Sequence, residues 1–233
     1  MTVAALVLGA GRGERLGAGE PKAFVLLDRR PLIAHAIDAL LACSWIERVV
    51  PVVPLSAIDR FESLRDGLSH PARVVPAVAG GARRQDSLRA GLEAAGDCAF
   101  VAVHDAARPL VRVEDVERVI ETARAAGAAI LALPARDTIK LVQDGQIRET
   151  PARSACWTAQ TPQVVRREWL VEALDKAERE GFEATDDAEL VERLGLPVRV
   201  VEGQASNFKI TVDADLVAAE AWLRDGPGRA GRP

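Results

Sequence analysis

Between Leu8 and Lys22 the chain reads LGAGRGERLGAGEPK, with five glycines, Arg12 and Arg15, and a closing Pro21-Lys22. Backbone N–H groups in a glycine-rich turn can point at an anion with no Cβ in the way. Two arginines and a lysine add charged donors that suit phosphate oxygens. The chemistry this stretch supports is therefore the holding of a polyphosphate. Two familiar phosphate loops fit it less well. Gly9, Gly11 and Gly13 overlap the dinucleotide fingerprint, but the third glycine arrives early and the basic residues intrude. No Gly-Lys-Ser/Thr closes the loop, as a P-loop requires. A glycine loop that only turned the chain would have no use for the basic residues at its end.

A second candidate is His104-Asp105-Ala106-Ala107-Arg108-Pro109, directly after the apolar run Phe100–Val103. If that run is a strand, the block lies at its carboxyl end, where open α/β sheets bind ligands. Cys43, Cys98 and Cys156 are far apart and form no C-x-x-C or Cys/His cluster, which reads as idle or buried thiols in a reducing compartment. No spacing of Asp, Glu, His or Cys suggests a protein cage for a metal. Asp186-Asp187 reads as the capped start of a helix.

The elements that must position these residues alternate. Val3–Leu8, Val49–Val53, Arg73–Pro76, Phe100–Val103, Ala129–Leu133 and Val198–Glu202 read as strands. Helical spacing covers Leu32–Ala42, Ile58–Leu64, Arg84–Ala95, Val113–Ala126 (stopped by Gly127), Arg166–Arg179, Asp186–Leu194 and Val212–Leu223. Pro51 must sit where no ladder hydrogen bond is needed. Such alternation predicts an α/β fold, a Rossmann-like, mainly parallel sheet flanked by helices. Between Asp137 and Thr161 the character changes: Thr138–Leu141 and Gln146–Glu149 flank the turn sequence Gln143-Asp144-Gly145. This predicts an inserted β-hairpin arm over 136–160. Because an isolated hairpin is marginal in water, the arm needs something to lie against, and a second subunit is the economical answer. A single domain over 1–224 is expected, with a flexible Gly/Pro/Arg tail over 225–233.

Bulk properties narrow the partners. A net charge of −4 from 30 basic and 34 acidic residues argues against a nucleic-acid binder, while leaving room for a local basic pocket. The apolar first residues, MTVAALVLGAG, are too short to span a bilayer and lack a basic leader and cleavage site, so a cytoplasmic enzyme with no membrane partner is expected.

Several blocks together carry a family resemblance. Beside the glycine loop and its Pro-Lys pair stand Gly80-Gly81 with Arg84, Asp86 and Ser87, then the HDAARP block, and Arg136-Asp137-Thr138-Ile139-Lys140. Thr161-Pro162-Gln163, Thr185-Asp186 and Asn207-Phe208-Lys209-Ile210-Thr211 follow. In order and spacing this resembles the 2-C-methyl-D-erythritol 4-phosphate cytidylyltransferases of the non-mevalonate isoprenoid pathway, over Val3 to Leu223. The glycine loop alone is shared with many sugar nucleotidyltransferases; the HDAARP, RDT-x-K and N-x-K-x-T blocks are the specific ones.

The resemblance implies attack by the phosphate of methylerythritol phosphate on the α-phosphorus of CTP, with release of pyrophosphate. That nucleophile is already anionic, so the task is positioning and preorganised positive charge rather than a general base. By resemblance, Arg15 and Lys22 grip the triphosphate and Lys209 reaches the α-phosphate. Gly9, Ala10, Gly11 and Gly13 cradle ribose and phosphates, and Gly81, Ala82 and Ser87 read cytosine. Asp105 lies near the ribose and polyol hydroxyls, and Arg108 faces the acceptor phosphate and is the expected partner of Asp105. Thr161 and Thr185 donate to the acceptor, and Thr138 and Arg153 on the arm reach the site of the neighbouring subunit of a homodimer. His104 orients its loop, and His35 is structural. Mg²⁺ is expected, bound mainly through the CTP phosphates. Two departures stand out: Ala82 replaces a residue that is commonly acidic in the family, and Leu8-Gly9 replaces the more usual Pro-Ala. The competing reading is a related cytidylyltransferase acting on another polyol phosphate, such as ribitol 5-phosphate.

Overall fold

The computed structural model describes residues 1–11 and 21–225. The apolar run Val3–Leu8 forms β1, buried on both faces. A single helical turn, Lys22–Phe24, leads into a small hairpin of β2 (Leu26–Leu27) and β3 (Arg30–Pro31), then α1 (Leu32–Leu41) and β4 (Ile46–Val53). Next come α2 (Ile58–Arg65), β5 (Val78–Ala79), α3 (Arg84–Ala94), β6 (Phe100–Asp105), α4 (Val113–Ala126) and β7 (Ala128–Pro134). The arm strands β8 (Leu141–Gln143) and β9 (Gln146–Glu149) precede β10 (Trp157–Arg166), α5 (Arg167–Glu180), α6 (Asp187–Glu192), β11 (Arg199–Glu202) and α7 (Asp213–Asp225).

Seven strands form one sheet in the order β11-β7-β10-β6-β1-β4-β5, parallel in every pairing except the two made by β10. The expected α/β class and mainly parallel sheet are what is found. From β1 the chain goes first to β4 and β5 on one side, then to β6 on the other. Leu8 and Asp105 are register partners at the carboxyl ends of β1 and β6. Their ends therefore frame the crevice where the direction of winding reverses, the natural ligand position in such sheets.

Strand periodicity supplies the core. Val3, Ala5 and Val7 of β1 face one apolar cluster with Ile33 and Ile37 of α1 and Val116 and Ile120 of α4. Ala4 and Leu6 face the other, with Leu88 of α3, Leu170 of α5 and Leu190 of α6. With helices on both faces, the strands can be apolar throughout rather than alternating.

The structure corrects several sequence expectations. No strand covers Arg73–Pro76: Pro71–Arg73 is a helical turn, Val74 makes one bridge to Val49, and the strand pairing with β4 is Val78–Ala79. Val49 O and Val53 O accept bonds from Val75 N and Gly80 N, so Pro51 turns its nitrogen into the gap between these two contacts. The first arm strand is Leu141–Gln143 rather than Thr138–Leu141, and Asp144 and Gly145 form a two-residue turn with φ of 51° and 75°. Asp225, placed in the tail, ends α7; residues 226–233 lie outside the described residues.

β10 was not anticipated at all. Its pairing with β7 runs from Trp157 to Ala159, breaks, and resumes at Gln163. Three residues of β10 stand opposite Leu131 alone of β7 there, so Gln160, Thr161 and Pro162 bulge out of the ladder at the point where Pro162 lacks an N–H. That bulge lies beside the end of β6.

Candidate active site

Two loops meet at the end of β1. Gly9 N–H donates to Val52 O at 2.7 Å, and a Cβ at Gly9 would lie 2.9 Å from the Ala23 methyl. A Cβ at Gly80 would lie 2.3 Å from that of Ala10 and 2.7 Å from Ser87 Oγ, so these three residues are in mutual contact only because position 80 has no side chain. Gly81 N–H donates to Ser87 Oγ at 3.2 Å, and the same hydroxyl reaches Arg83 O at 3.4 Å. Asp86 accepts from Arg83 N and from the Arg83 guanidinium, and so fixes the turn before α3. Gly81 and Ala82 are left exposed, as is Gly11, while Ser87 is buried and spends its hydroxyl internally. Gly13 and Arg15 lie outside the described residues.

At the end of β6 the site is a cluster of charges. Asp105 Oδ1 accepts from Arg84 Nη1 at 2.9 Å. Its Oδ2 faces Lys209 Nζ at 3.0 Å and Arg108 Nε at 3.4 Å. Arg84 also forks onto the buried carboxylate of Asp187, Nη2 to Oδ2 at 2.6 Å and Nε to Oδ1 at 3.2 Å. Burial opposes a charge on Asp105, but Arg84, Lys209 and Arg108 outweigh it and hold its carboxyl below the ordinary carboxylate range. Burial likewise opposes the Arg84 cation, and the two carboxylates outweigh it. Three cations face two carboxylates here, so the cluster is net positive; burial pushes the Asp187 carboxyl up and the Arg84 guanidinium opposes that shift.

Hydrogen bonds beneath the charges set their backbone. Asp105 N–H donates to Thr161 Oγ1 at 3.0 Å, and that hydroxyl contacts His104 Nδ1 at 3.0 Å. His104 Nε2 contacts Arg108 O at 3.0 Å. A carbonyl only accepts, so Nε2 carries the hydrogen, Nδ1 accepts, and the Thr161 hydroxyl donates to it. Full burial pushes the His104 imidazole down to about 4 from its ordinary 6.5. His104 thus orients its loop, as expected. Thr161, expected to donate to the acceptor, is buried with its hydroxyl engaged on both sides. The Arg108 guanidinium donates to Asn207 O at 2.8 Å and Ala159 O at 3.3 Å besides Asp105. It therefore ties the end of β6 to β10 and to the C-terminal segment.

That segment brings Lys209 to the site. Ile210 N donates to Ala107 O at 2.9 Å, and Asn207 Nδ2 donates to Thr161 O at 2.8 Å. Ile210 and Ala219 share an apolar cluster with Val25, Leu27 and Leu32, so the chain following Lys22 packs on the chain following Lys209. Burial opposes the charge of Asp215, but hydrogen bonds from Thr211 and Val212, with the positive charge of Lys22, hold it below the carboxylate range. Two lysines 187 positions apart in sequence are thereby anchored on contacting elements.

The acceptor-side candidates are spread more widely. Thr185 is exposed and its hydroxyl donates to Glu189 Oε2 at 2.9 Å. Thr138 and Arg153 are exposed at the base of the arm, and Arg153 donates to Arg136 O at 3.3 Å. Every residue of β8 and β9 is exposed, including Leu141, Val142 and Ile147. His35 contacts Leu27 O at 2.7 Å, tying α1 to the hairpin.

Sequence reasoning gave no role to Arg84 or Gln163 and took Asp187 for part of a cap. Asp186 is the cap of α6, accepting from Glu189 N at 3.0 Å. Asp187 instead points inward to Arg84. A signal was present: a second arginine beyond the glycine turn, and a second aspartate behind a capping one, are both in excess of what local structure requires. Among the described residues no group of three or more His, Cys, Asp or Glu side chains could hold a metal ion. Asp105, ringed by three cations, has little capacity for one.

Known proteins match this chain over nearly its whole length. The family model described as 2-C-methyl-D-erythritol 4-phosphate cytidylyltransferase matches residues 3–225. A curated protein of that name from Syntrophus aciditrophicus is 41% identical over 97% of this chain and 98% of its own length. One from Bacillus licheniformis is 40% identical over 96% of each. Among solved structures, 4-diphosphocytidyl-2C-methyl-D-erythritol synthase from Anaerococcus prevotii superposes with a TM-score of 0.85 at 26% identity, covering 96% of both chains. The Thermus thermophilus cytidylyltransferase gives 0.76 at 38% identity, over 96% of this chain and 100% of that one.

Proposed function

This chain belongs to the 2-C-methyl-D-erythritol 4-phosphate cytidylyltransferase family, and on that premise we propose how its residues divide the reaction. It is a nucleotidyltransferase that moves CMP from CTP to 2-C-methyl-D-erythritol 4-phosphate. The products are 4-diphosphocytidyl-2-C-methyl-D-erythritol, an isoprenoid precursor, and pyrophosphate. An acceptor phosphate oxygen bonds to the α-phosphorus as the bond from that phosphorus to the bridging oxygen of pyrophosphate breaks.

The reading of the site rests on one observation: a net positive cluster at the crevice between β1 and β6, with Lys209 held on it by Asp105 at 3.0 Å. Lys209 meets the α-phosphate, and Arg15 and Lys22 grip the triphosphate from the glycine loop. Gly9, Ala10, Gly11 and Gly13 form its cradle. Because Ala82 offers only a methyl group, base reading falls to the exposed backbone of Gly81 and Ala82, held by Ser87 and the Asp86 cap. Arg108 spends three of its five N–H donors on Asp105, Asn207 O and Ala159 O, which leaves donors for the acceptor phosphate. Thr185 serves the acceptor with Asp105, and Thr161 acts through the backbone of Asp105. No general base is needed, and a buried neutral His104 fits that.

A Mg²⁺ ion would be held mainly by the CTP phosphates rather than by side chains of this chain, and would screen their charge. The active form is a homodimer. The exposed apolar side chains of the arm call for a covering surface, and a second copy brings Thr138 and Arg153 to the neighbouring acceptor site. Three free cysteines suit a reducing, cytoplasmic setting. The test is pyrophosphate release with CTP and methylerythritol phosphate. Release with ribitol 5-phosphate but not with methylerythritol phosphate would assign the chain to another acceptor.

A further inference from the structure

The Arg84 guanidinium presents two edges to two carboxylates. Nε and Nη2 form a fork on Asp187, at 3.2 and 2.6 Å, and Nη1 alone reaches Asp105 Oδ1, at 2.9 Å. A bidentate fork fixes the plane of a guanidinium as well as its position. With Arg84 fixed, Asp105 Oδ1 is committed to it, and Oδ2 is turned toward Lys209 at 3.0 Å. The sequence of charges is therefore Asp187, Arg84, Asp105, Lys209, alternating in sign across α6, α3, β6 and the segment before α7.

Exposure differs sharply between the two ends of that line. The Lys209 side chain is 43% exposed, that of Asp105 8%, that of Arg84 27% and that of Asp187 1%. A lysine that far in solvent, on four rotatable bonds, does not aim itself. Something rigid must hold the carboxylate that aims it, and the far end of this line is rigid. Gln163 of β10 donates to Asp186 Oδ2 at 3.0 Å and accepts from Ala188 N at 2.8 Å, clamping α6 to the sheet on both sides of Asp187. Among the described residues, the bonds and ion pairs of the Asp187 side chain go to Arg84 alone.

We propose that Asp187 is a positioning residue for the reaction: through Arg84 it fixes the rotation of the Asp105 carboxylate, and through Asp105 it aims the Lys209 ammonium into the crevice. Arg84 follows the base-reading turn by two residues, so the same guanidinium couples that turn to the reacting end of the site. The inference rests on the proposed role of Lys209, and the experiment separates the two.

Asp187→Asn keeps the shape and destroys the fork, since an amide nitrogen would face an arginine donor. Loss of aim at the reacting centre costs about tenfold to a hundredfold in turnover. Steady-state kinetics per folded enzyme, with folding checked by thermal melting, should show that loss in kcat with the KM for CTP within about threefold of wild type. A purely structural role would lower stability and leave kcat per folded molecule alone. The decisive readout is a double-mutant cycle. Once Asp105→Asn has cut the line, adding Asp187→Asn should change kcat by less than about twofold. An unchanged kcat in the single variant, or losses that multiply in the double, overturns the proposal. If Asp187→Asn does not fold, Arg84→Lys, which keeps the charge but cannot fork, takes its place in the same cycle with the same two outcomes. Lys209→Met is run alongside. A full kcat there refutes the role of Lys209 itself, whereas a low kcat there with a normal one in Asp187→Asn refutes only the line behind it.

Discussion

His104 gives a prediction whose size can be worked from its surroundings. It is fully buried, and its neutral ring accepts from Thr161 and donates to Arg108 O. Its proton affinity falls from 6.5 to about 4 on folding. Below pH 6.5 the unfolded chain takes up a proton that the folded chain refuses, so stability falls as pH drops from 6.5 toward 4 and levels off below. At pH 5 the imbalance is about 2 kcal/mol, against a few tenths at pH 7. His104→Gln removes the titration. It also leaves either Thr161 or Arg108 O without its partner, at about 1–3 kcal/mol. Urea unfolding at pH 7 and pH 5 should therefore show the wild type losing about 2 kcal/mol more than the variant between the two conditions. Equal losses would mean that His104 is not held neutral by burial. Turnover discriminates as well. A general base costs about 10²–10⁴-fold when removed, so a loss of that size in a folded His104→Gln enzyme would refute the purely orienting role.

Other consequences are as direct. Gly80→Ala would drive a methyl into Ala10 and Ser87, so CTP affinity measured by calorimetry should fall at least tenfold, and an unchanged affinity would separate this contact from the nucleotide site. Ile147→Asp on the arm should shift the chain from dimer to monomer in sedimentation and lower activity with it; an active monomer would contradict the role of the arm. Arg153→Ala should raise the KM for methylerythritol phosphate with little change for CTP. Mixed dimers of Arg153→Ala and Lys22→Ala chains should regain activity, and none regained would place Arg153 in its own subunit's site.

Much of this was legible in the sequence, for identifiable reasons. The runs buried on both faces, Val3–Leu8 and Phe100–Val103, are apolar without interruption, and Val113–Ala126 ends where Gly127 takes a φ of 97°. Local signals sufficed there. β10 escaped because its buried stretch carries Gln160, Thr161 and Gln163 and is interrupted by Pro162, and only the pairing of the residues on either side of that bulge with β6 and β7 makes it a strand. β5 escaped because two residues carry no period. The site shows the same division. Arg108 and Asp105 lie three apart and could be paired on paper. Arg84 and Asp187 lie 103 positions apart, and only the packing of α3 and α6 on one face of the sheet brings them together. The hydroxyl of Thr161 was assigned outward because the bulge that turns it toward His104 depends on register, which sequence does not display.

The central claim is that positive charge in the crevice works on the transition state rather than on bound CTP. Lys22→Ala tests it most directly, with kcat from pyrophosphate release and the dissociation constant of CTP measured on the same preparation. Charge on the α-phosphoryl oxygens and the leaving pyrophosphate grows as the reaction proceeds, so kcat should fall by at least about a hundredfold while CTP binding weakens only severalfold. Equal losses in turnover and binding would show that Lys22 only holds the nucleotide, and would contradict the account.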